Sequence, residues 1–394
     1  MMLTRRASLL GLASAWSLGA SSLALGAASS PGQDRRLVVV ILRGAMDGLS
    51  VVTPYGDGAI RSLRAPLVLP EPGREGGLLD LGGFFGLHPA LGGLHTLFGA
   101  GELLPVHAVA GEWRSRSHFE AQDFLESGAE RRLNSGWLNR VVSALPHDPR
   151  APDGEGLSVG VSVPLLLRGP APVGSFAPDG GGRPSPDLYA RIAALNAPDH
   201  RTGPAIAAGL AARGFSADTL GGASPDGKGG FPALARAAGQ LLAAPEGPRV
   251  AALEVGGWDT HADQNRRLPG PLRQLDAGLM ALRDGLGPAW NRTAVLVTTE
   301  FGRTARSNGT TGTDHGTATV ALLLGGAIRG GRIGGTWPGL RDTQLFENRD
   351  LAPTTDLLAL AKGLLSDHLG LKPGQIATIF PGDPADAVSG LIRS

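Results

Sequence analysis

Short apolar runs alternate with helix-like segments along most of the chain. Residues 35–42 read RRLVVVIL, an almost continuous apolar run that is typical of a strand buried on both faces of a sheet. Later runs also predict strands, although Pro105 weakens the first of them; they cover residues 102–110, 249–255, 293–299 and 317–326. Helical patterns lie between the strands, at residues 118–127, 231–244, 271–286 and 352–367. The alternation predicts an α/β fold with a mostly parallel central sheet and helices on both faces.

Residues 1–30 have the layout of an export signal rather than of a folded element. Arg5 and Arg6 precede a mildly apolar stretch and then a group of small residues, as in a twin-arginine signal. Ser, Ala and Gly dilute the apolar stretch, which makes it a poor membrane span. We therefore expect residues 31–394 to form a single domain, with a loop-rich insertion near 145–230 where Pro, Gly, Asp and Ser are frequent. The twin-arginine machinery would deliver this domain to the periplasm or beyond, free of the membrane once the signal is removed.

The composition narrows the classes of function. Lys and Arg number 36 against 35 Asp and Glu, a net charge of +1, so no basic surface for nucleic acid is indicated. Cysteine is absent, which excludes disulfides, thiolate nucleophiles and cysteine-ligated metals. No Gly-x-Gly-x-x-Gly pattern follows the first predicted strand, and this argues against a dinucleotide cofactor.

Carboxylate, imidazole and hydroxyl groups follow the predicted strands closely. Open parallel sheets bind ligands beyond the carboxyl ends of their strands, so these groups are expected to meet at one edge. Carboxylates and neutral imidazoles are the ligands of hard and borderline divalent cations. The sequence therefore predicts a site for one or two ions whose ligands are Asp47, Asp259, His261, Glu300, Asp314 and His315.

Several polar residues near the predicted strand ends, including Ser117 and His118, also have simple structural interpretations. Asp47 stands before a glycine and suits an ordinary turn. Ser117 suits the N-cap of the predicted helix at 118–127, and His118 a structural hydrogen bond in its first turn. Glu300 suits a structural pair with Arg303.

Four motifs carry a family resemblance. LRGAMDGLSVVTPY, RSHFEAQDF, GGWDTHADQ and TEFGRTARSNGTTGTDHGTATVALLLGG resemble the domain-of-unknown-function 1501 family of exported bacterial proteins, over residues 36–385. The resemblance implies an alkaline phosphatase/sulfatase-like fold. It also implies that Asp47, Asp259 and His261 bind metal and that Ser117 stands where that superfamily has its nucleophile.

Two registers compete for the last part of the superfamily pattern. By motif alone, Asp314-His315-Gly316 matches its Asp-His-Gly segment. By strand order, which we prefer, Glu300 and Phe301 take the place of that Asp-His pair, and His315 matches a later histidine. One imidazole is then missing, and Asp314 or His118 would have to replace it.

The resemblance and the residues together suggest an exported metal-dependent hydrolase of a small phosphate or sulfate ester. Zinc, manganese, calcium or magnesium would activate Ser117 or a water molecule as the nucleophile. His118 would shuttle protons, and Arg303, Arg114 or Arg116 would bind the anion. The alternative is a non-catalytic metal-binding or envelope-recognition protein that keeps the fold with a degenerate site, and the Glu300-Phe301 replacement favours it.

Overall fold

The computed structural model describes residues 34–129, 131–146, 154–160, 162–177 and 230–393. The described residues from Arg35 onward belong to one compact unit. The predicted export signal at 1–30 lies outside the described residues, as does most of the predicted insertion at 145–230, so both stay predictions. Within the described ranges, no helix combines the length and the apolar character that a bilayer crossing requires.

Among the described residues, eight strands form the central sheet and three form a small second sheet. The strands are β1 (Arg36–Leu42), β2 (Val52–Thr53), β3 (Leu79–Asp80), β4 (Gly86–Leu87), β5 (Leu103–Ala110), β6 (Gly156–Val159), β7 (Val173–Phe176), β8 (Val250–Val255), β9 (Thr293–Thr298), β10 (Thr319–Leu324) and β11 (Thr355–Asp356). The large sheet has the order β11-β5-β10-β9-β1-β8-β6-β7, and the small one has the order β2-β4-β3. In the large sheet β10 runs antiparallel to β5 and β9, and the other pairings are parallel. The predicted mostly parallel sheet is confirmed.

The helices are mostly short, as the many Gly and Pro residues lead one to expect. They are α1 (Gly48–Val51), α2 (Ala59–Leu63), α3 (Gly92–Gly99), α4 (His118–Ser127), α5 (Trp137–Ala144), α6 (Gly230–Ala243), α7 (Gln264–Arg267), α8 (Pro269–Leu286), α9 (Leu357–Gly363) and α10 (Pro373–Ile379). The described part of the chain also has three 3₁₀ segments and one π-helical turn, at Leu165–Leu167, Gly287–Arg292, Asp342–Gln344 and Leu364–His368.

Strand β1 divides the core into two layers because its side chains alternate across the sheet. Val38, Val40 and Leu42 pack in the layer that α3, α6 and α8 cover. Leu37 and Val39, on the opposite face, pack in the layer that α4, α5, α9 and α10 cover. Helices therefore lie on both faces of the sheet, as predicted.

The reversed direction of β10 matters for the position of polar residues. The parallel strands β1, β8 and β9 end at one edge of the sheet, whereas β10 begins there. His315 lies shortly before the start of β10, Glu300 directly after β9, and Asp259 beyond the end of β8. One sheet edge therefore receives groups that follow two strands and precede a third.

Helices α6 and α8 pack closely at glycines. A substitution that adds a side chain at this contact therefore tests the packing of the two helices. A Cβ added at Gly239 would lie 2.5 Å from the Leu282 carbonyl oxygen and 2.8 Å from the Leu286 nitrogen. We expect Gly239→Ala to force the helices apart and to lower the free energy of unfolding by about 1–3 kcal/mol. Chemical denaturation measures this change.

Gly270→Ala is the matched control in α8, since its Cβ would meet nothing within 4 Å. It should leave stability unchanged or raise it by up to about 1 kcal/mol, as alanine favours helix. Equal stability of the two variants would contradict the close packing of these helices.

Candidate metal centre

Three ligand atoms from distant parts of the chain meet at the sheet edge. His118 begins α4, Asp259 follows β8 and His315 precedes β10, and one ligand atom from each lies within 4.8 Å of the other two. His315 Nε2 lies 3.2 Å from Asp259 Oδ1, and His118 Nε2 lies 3.6 Å from Asp259 Oδ2. The Asp259 side chain is 45% exposed, so the group opens to solvent.

A third imidazole reaches the same carboxylate. His261 Nε2 lies 3.0 Å from Asp259 Oδ1 and 3.0 Å from His315 Nε2. Three imidazole Nε2 atoms therefore surround one aspartate.

The second ring nitrogen of each histidine faces an oxygen acceptor. His118 Nδ1 lies 2.7 Å from Glu300 Oε1, His315 Nδ1 lies 2.8 Å from the Arg116 carbonyl oxygen, and His261 Nδ1 lies 3.4 Å from Asp314 Oδ1. A carbonyl or an ionised carboxylate can only accept, so Nδ1 carries the proton in His118 and His315, and the longer contact to Asp314 favours the same tautomer in His261. In the neutral imidazole this leaves a lone pair on Nε2, the arrangement of metal-ligating histidines.

These lone pairs are unfavourable neighbours unless a positive charge lies between them. With the Nδ1 proton in both rings, the bare Nε2 atoms of His261 and His315 repel each other at 3.0 Å, and each also faces an oxygen of Asp259. His118 Nε2 is buried and has no hydrogen-bond partner. A divalent cation between His118, Asp259 and His315 would satisfy their ligand atoms, with His261 Nε2 beside the same carboxylate, so the residues fit a metal ion.

Burial and neighbouring charges set the protonation of the group. Burial lowers the pKa of His315, which keeps its ring neutral at pH 7. The hydrogen bond to Glu300 raises the pKa of His118. Burial alone would raise the pKa of Asp259 and of Glu300, but hydrogen bonds outweigh it: Arg303 lowers the pKa of Asp259, and His118 with other donors lowers that of Glu300 to about 2.

Glu300 lies behind His118 rather than in the ligand group. Its Oε1 accepts hydrogen bonds from His118 Nδ1, the Gly44 backbone and Gln122 Nε2, and its Oε2 accepts one from Thr299. These donors occupy both carboxylate oxygens, and one of them is the His118 imidazole. Gln122 was not singled out in the sequence, although it lies one helical turn after His118 and so shares its face of α4.

The other predicted ligands occupy different positions. Asp314 lies behind His261 and also accepts a hydrogen bond from Asn308 at 3.1 Å. Asp47 is buried against Arg64, outside the three-residue group. The structure thus gathers Asp259, His261 and His315 with His118, which was predicted to be a catalytic residue.

Ser117 is exposed and immediately precedes α4. Its side chain makes no capping hydrogen bond to that helix, so the hydroxyl does not fill the ordinary structural role of an N-cap serine. Phe301 forms an apolar wall beside the centre, with its ring 5.1 Å from that of His118 and 5.0 Å from that of His315, centroid to centroid.

Arg303 is committed to the protein itself. Its buried guanidinium donates to Asp259 Oδ1 at 2.5 Å. Further hydrogen bonds reach backbone carbonyls of Gly44, Ala45, Trp258 and Thr313. The group is therefore occupied in holding the loops around the centre and is not free to bind an anion.

Replacing Arg303 should reveal this structural role. Arg303→Met leaves several buried carbonyl oxygens without donors, each at a cost of about 1–3 kcal/mol. We expect the free energy of unfolding to fall by at least about 3 kcal/mol in denaturant titrations.

Arg266→Met is the control, because the Arg266–Asp263 pair has side chains that are 77% and 58% exposed. Its stability should change by no more than about 0.5 kcal/mol. An Arg303→Met protein as stable as wild type would mean that the guanidinium is free for a ligand.

Comparison with known proteins gives a family and several similar structures. No curated protein sequence matches the chain significantly. A protein in the alkaline phosphatase superfamily from Vibrio parahaemolyticus is 11% identical, with a TM-score of 0.37; the match covers 84% of this chain and 65% of that one, just under two thirds. The C-terminal periplasmic domain of EcEptC from Escherichia coli, solved with Zn, is 10% identical with a TM-score of 0.33, covering 74% of this chain and 72% of that one. A TAB5 alkaline phosphatase mutant with Mg bound is 11% identical with a TM-score of 0.34, covering 74% and 90%.

The family model described as "Protein of unknown function (DUF1501)" matches residues 104–380, which include α4, both ligand loops and the strands between them. The chain belongs to this family.

Proposed function

We propose that the protein is an exported metal-dependent hydrolase that acts on a phosphate or sulfate ester. The observation that supports this most directly is the set of three imidazoles whose Nε2 atoms face Asp259 while each Nδ1 is held by an acceptor. His118, Asp259, His261 and His315 would hold the ion. The exposed flank of Asp259 leaves room for a substrate to approach it.

The ligand types favour particular metals. Imidazole nitrogen suits zinc, and also manganese when a carboxylate completes the set. Calcium and magnesium prefer oxygen ligands, of which this group offers a single carboxylate. Zinc is therefore our first choice, and manganese our second.

The roles of the surrounding residues follow from their contacts. A bound divalent cation supplies a Lewis acid that stabilises charge on an ester oxygen and on the attacking group. The Ser117 hydroxyl, exposed beside His118, is the candidate nucleophile. Glu300 keeps the proton on His118 Nδ1, so His118 serves as a ligand more readily than as a proton shuttle. Arg303 keeps Asp259 ionised and in place.

The proposal also includes export of the protein from the cytoplasm. The paired arginines ahead of a mildly apolar stretch support delivery by the twin-arginine machinery, which would place the enzyme in the periplasm or outside the cell. Small anionic esters would be its substrates there.

One observation favours the second candidate, a non-catalytic metal-binding or envelope-recognition protein. Two of the arginines expected to bind an anion are already paired, Arg303 with Asp259 and Arg116 with Glu347 and Asp350. Arg114 is exposed, but it donates to the backbone of its own loop. A substrate anion would have to rely mainly on the cation.

Metal content tests the site that both candidates share. Protein purified without chelator should contain near-stoichiometric zinc or manganese by elemental analysis. Asp259→Ala and His315→Ala should each lower the metal content at least tenfold, since removal of a ligand weakens the whole group.

His95→Ala is the matched control, because His95 contacts the Asp80 carbonyl oxygen and is not part of the ligand group. It should keep the wild-type metal content. Equal metal content in all three variants would rule out this cluster as the metal site.

An assay of ester hydrolysis distinguishes the metal-dependent hydrolase from the non-catalytic metal-binding or recognition protein. The metal-loaded protein should hydrolyse at least one of an aryl phosphate, an aryl phosphodiester and an aryl sulfate. If Ser117 is the nucleophile, Ser117→Ala should lower kcat by at least about 10³-fold.

Ser62→Ala, an exposed serine in α2, should leave kcat unchanged. Full activity of Ser117→Ala would leave water as the nucleophile. A fully loaded protein that is inactive on all three ester classes would support the recognition protein instead.

A further inference from the structure

We infer that this sheet edge binds a single cation. Arg64 supplies the positive charge that Asp47 faces. Asp47 is a positioning residue for the two loops that carry Asp259, His261 and His315. This inference rests on the proposed metal site and adds the number of ions and the role of Asp47.

Asp47 and Arg64 form a buried pair with little freedom. Both are 1% exposed, and Arg64 Nη1 lies 2.5 Å from Asp47 Oδ2. Arg64 also donates to the Ala305 carbonyl oxygen at 2.9 Å and to the Thr304 carbonyl oxygen at 2.5 Å. If the guanidinium moved aside, buried carbonyl oxygens and a buried carboxylate would lose their hydrogen-bond donor. Each such loss lowers the stability of the folded state.

The remaining oxygen of Asp47 cannot hold an ion alone. Oδ2 accepts hydrogen bonds from Arg64, Ser50 and Gln264, while Oδ1 is buried without a partner. Zinc sites in proteins take three or four protein ligands. Over the described ranges, a set of three histidine or acidic ligand atoms gathers only around Asp259, and Asp47 is not in it. An ion at Oδ1 would lack a three-residue set of histidine or acidic ligands and would share the carboxylate with a guanidinium.

Gln264 shows what Asp47 does instead. Gln264 Nε2 donates to Asp47 Oδ2 at 2.6 Å. Its Oε1 accepts from Thr260 Oγ1 at 2.8 Å and from Thr313 Oγ1 at 2.8 Å. Because a carboxylate only accepts, Asp47 turns the amide so that its oxygen faces both threonines.

The two threonines belong to the two ligand loops. Thr260 lies between Asp259 and His261, and Thr313 lies two residues before His315. The loops also touch directly, since the Thr313 nitrogen donates to the Thr260 carbonyl oxygen at 3.2 Å. Thr260, Gln264 and Thr313 are almost fully buried, so water does not compete for these bonds. Asp47 thus acts on the metal through Gln264 by fixing the spacing of the loops.

Cobalt titration of the metal-free protein tests the inference. The wild-type chain should bind one Co²⁺, counted by elemental analysis and by its visible absorption. Asp47→Asn should still bind one Co²⁺, with affinity about tenfold weaker because the loops are held less firmly. The absorption spectrum at saturation should match that of wild type, since no ligand has changed.

A second variant avoids disturbing the buried charge. Thr313→Val removes one bond to Gln264 and leaves the Asp47–Arg64 pair intact, so it should also weaken Co²⁺ binding and keep the spectrum. Asp383→Asn is the control: it breaks another buried pair, with Lys362, that shares no contact with the metal centre. It should lower stability while leaving Co²⁺ affinity unchanged.

The outcomes separate this inference from the proposed function. Two Co²⁺ per wild-type chain, a lost ion in Asp47→Asn, or a changed spectrum in that variant would make Asp47 a ligand and overturn the inference, while the metal-dependent hydrolase would stand. Wild-type affinity in Thr313→Val would overturn the positioning role. A wild-type chain that binds no Co²⁺ would overturn both proposals.

Discussion

The Arg303 guanidinium is the group on which the arrangement of the sheet edge depends. One planar cation donates to the turn after β1, to the loop after β8 and to the loop before β10. Close backbone approach makes this possible: a Cβ at Gly44 would lie 2.8 Å from the Asp259 nitrogen, and one at Gly302 would lie 1.9 Å from the Ala318 carbonyl oxygen. The positions of His261 and His315 follow from these bonds, because the loops that carry both histidines are hydrogen-bonded to Arg303.

Much of the fold could be predicted because its central strands are buried on both faces. A continuous apolar run such as RRLVVVIL is compatible with few environments, and the observed strand Arg36–Leu42 agrees with the prediction within a residue. The strand across Pro105 forms despite the missing N–H, and its carbonyl accepts from the Gly334 nitrogen at 2.8 Å. Short elements such as β6 and β7 were not predicted, because short stretches among Pro and Gly carry little periodic signal. The reversal of β10 was not predicted either, since periodicity gives no strand direction.

The candidate site was predictable in its members but not in their contacts. Strand ends show which polar residues reach the edge, and His118, Asp259, His261 and His315 were all among them. Which group faces which depends on partners that no motif marks. Arg64 lies in a segment without a recognisable motif, yet its guanidinium forms an ion pair with Asp47. Gln122 and Gln264 are ordinary helix residues by type, yet each orients a group at the edge. Such pairings arise from tertiary packing, which one sequence does not display.

The separation of the ligands along the chain has a thermodynamic consequence. His118 follows β5 and His315 precedes β10, two strands that are far apart in the sequence and pair in the sheet. An ion held between them would act as a reversible cross-link, closing a long loop much as a disulfide does in chains that have cysteine. Its binding energy would then add to the stability of the native state in proportion to the logarithm of the free metal concentration. In a chain with 61 glycines and no cysteine, resistance to heat and proteolysis would depend on the metal supply of its surroundings.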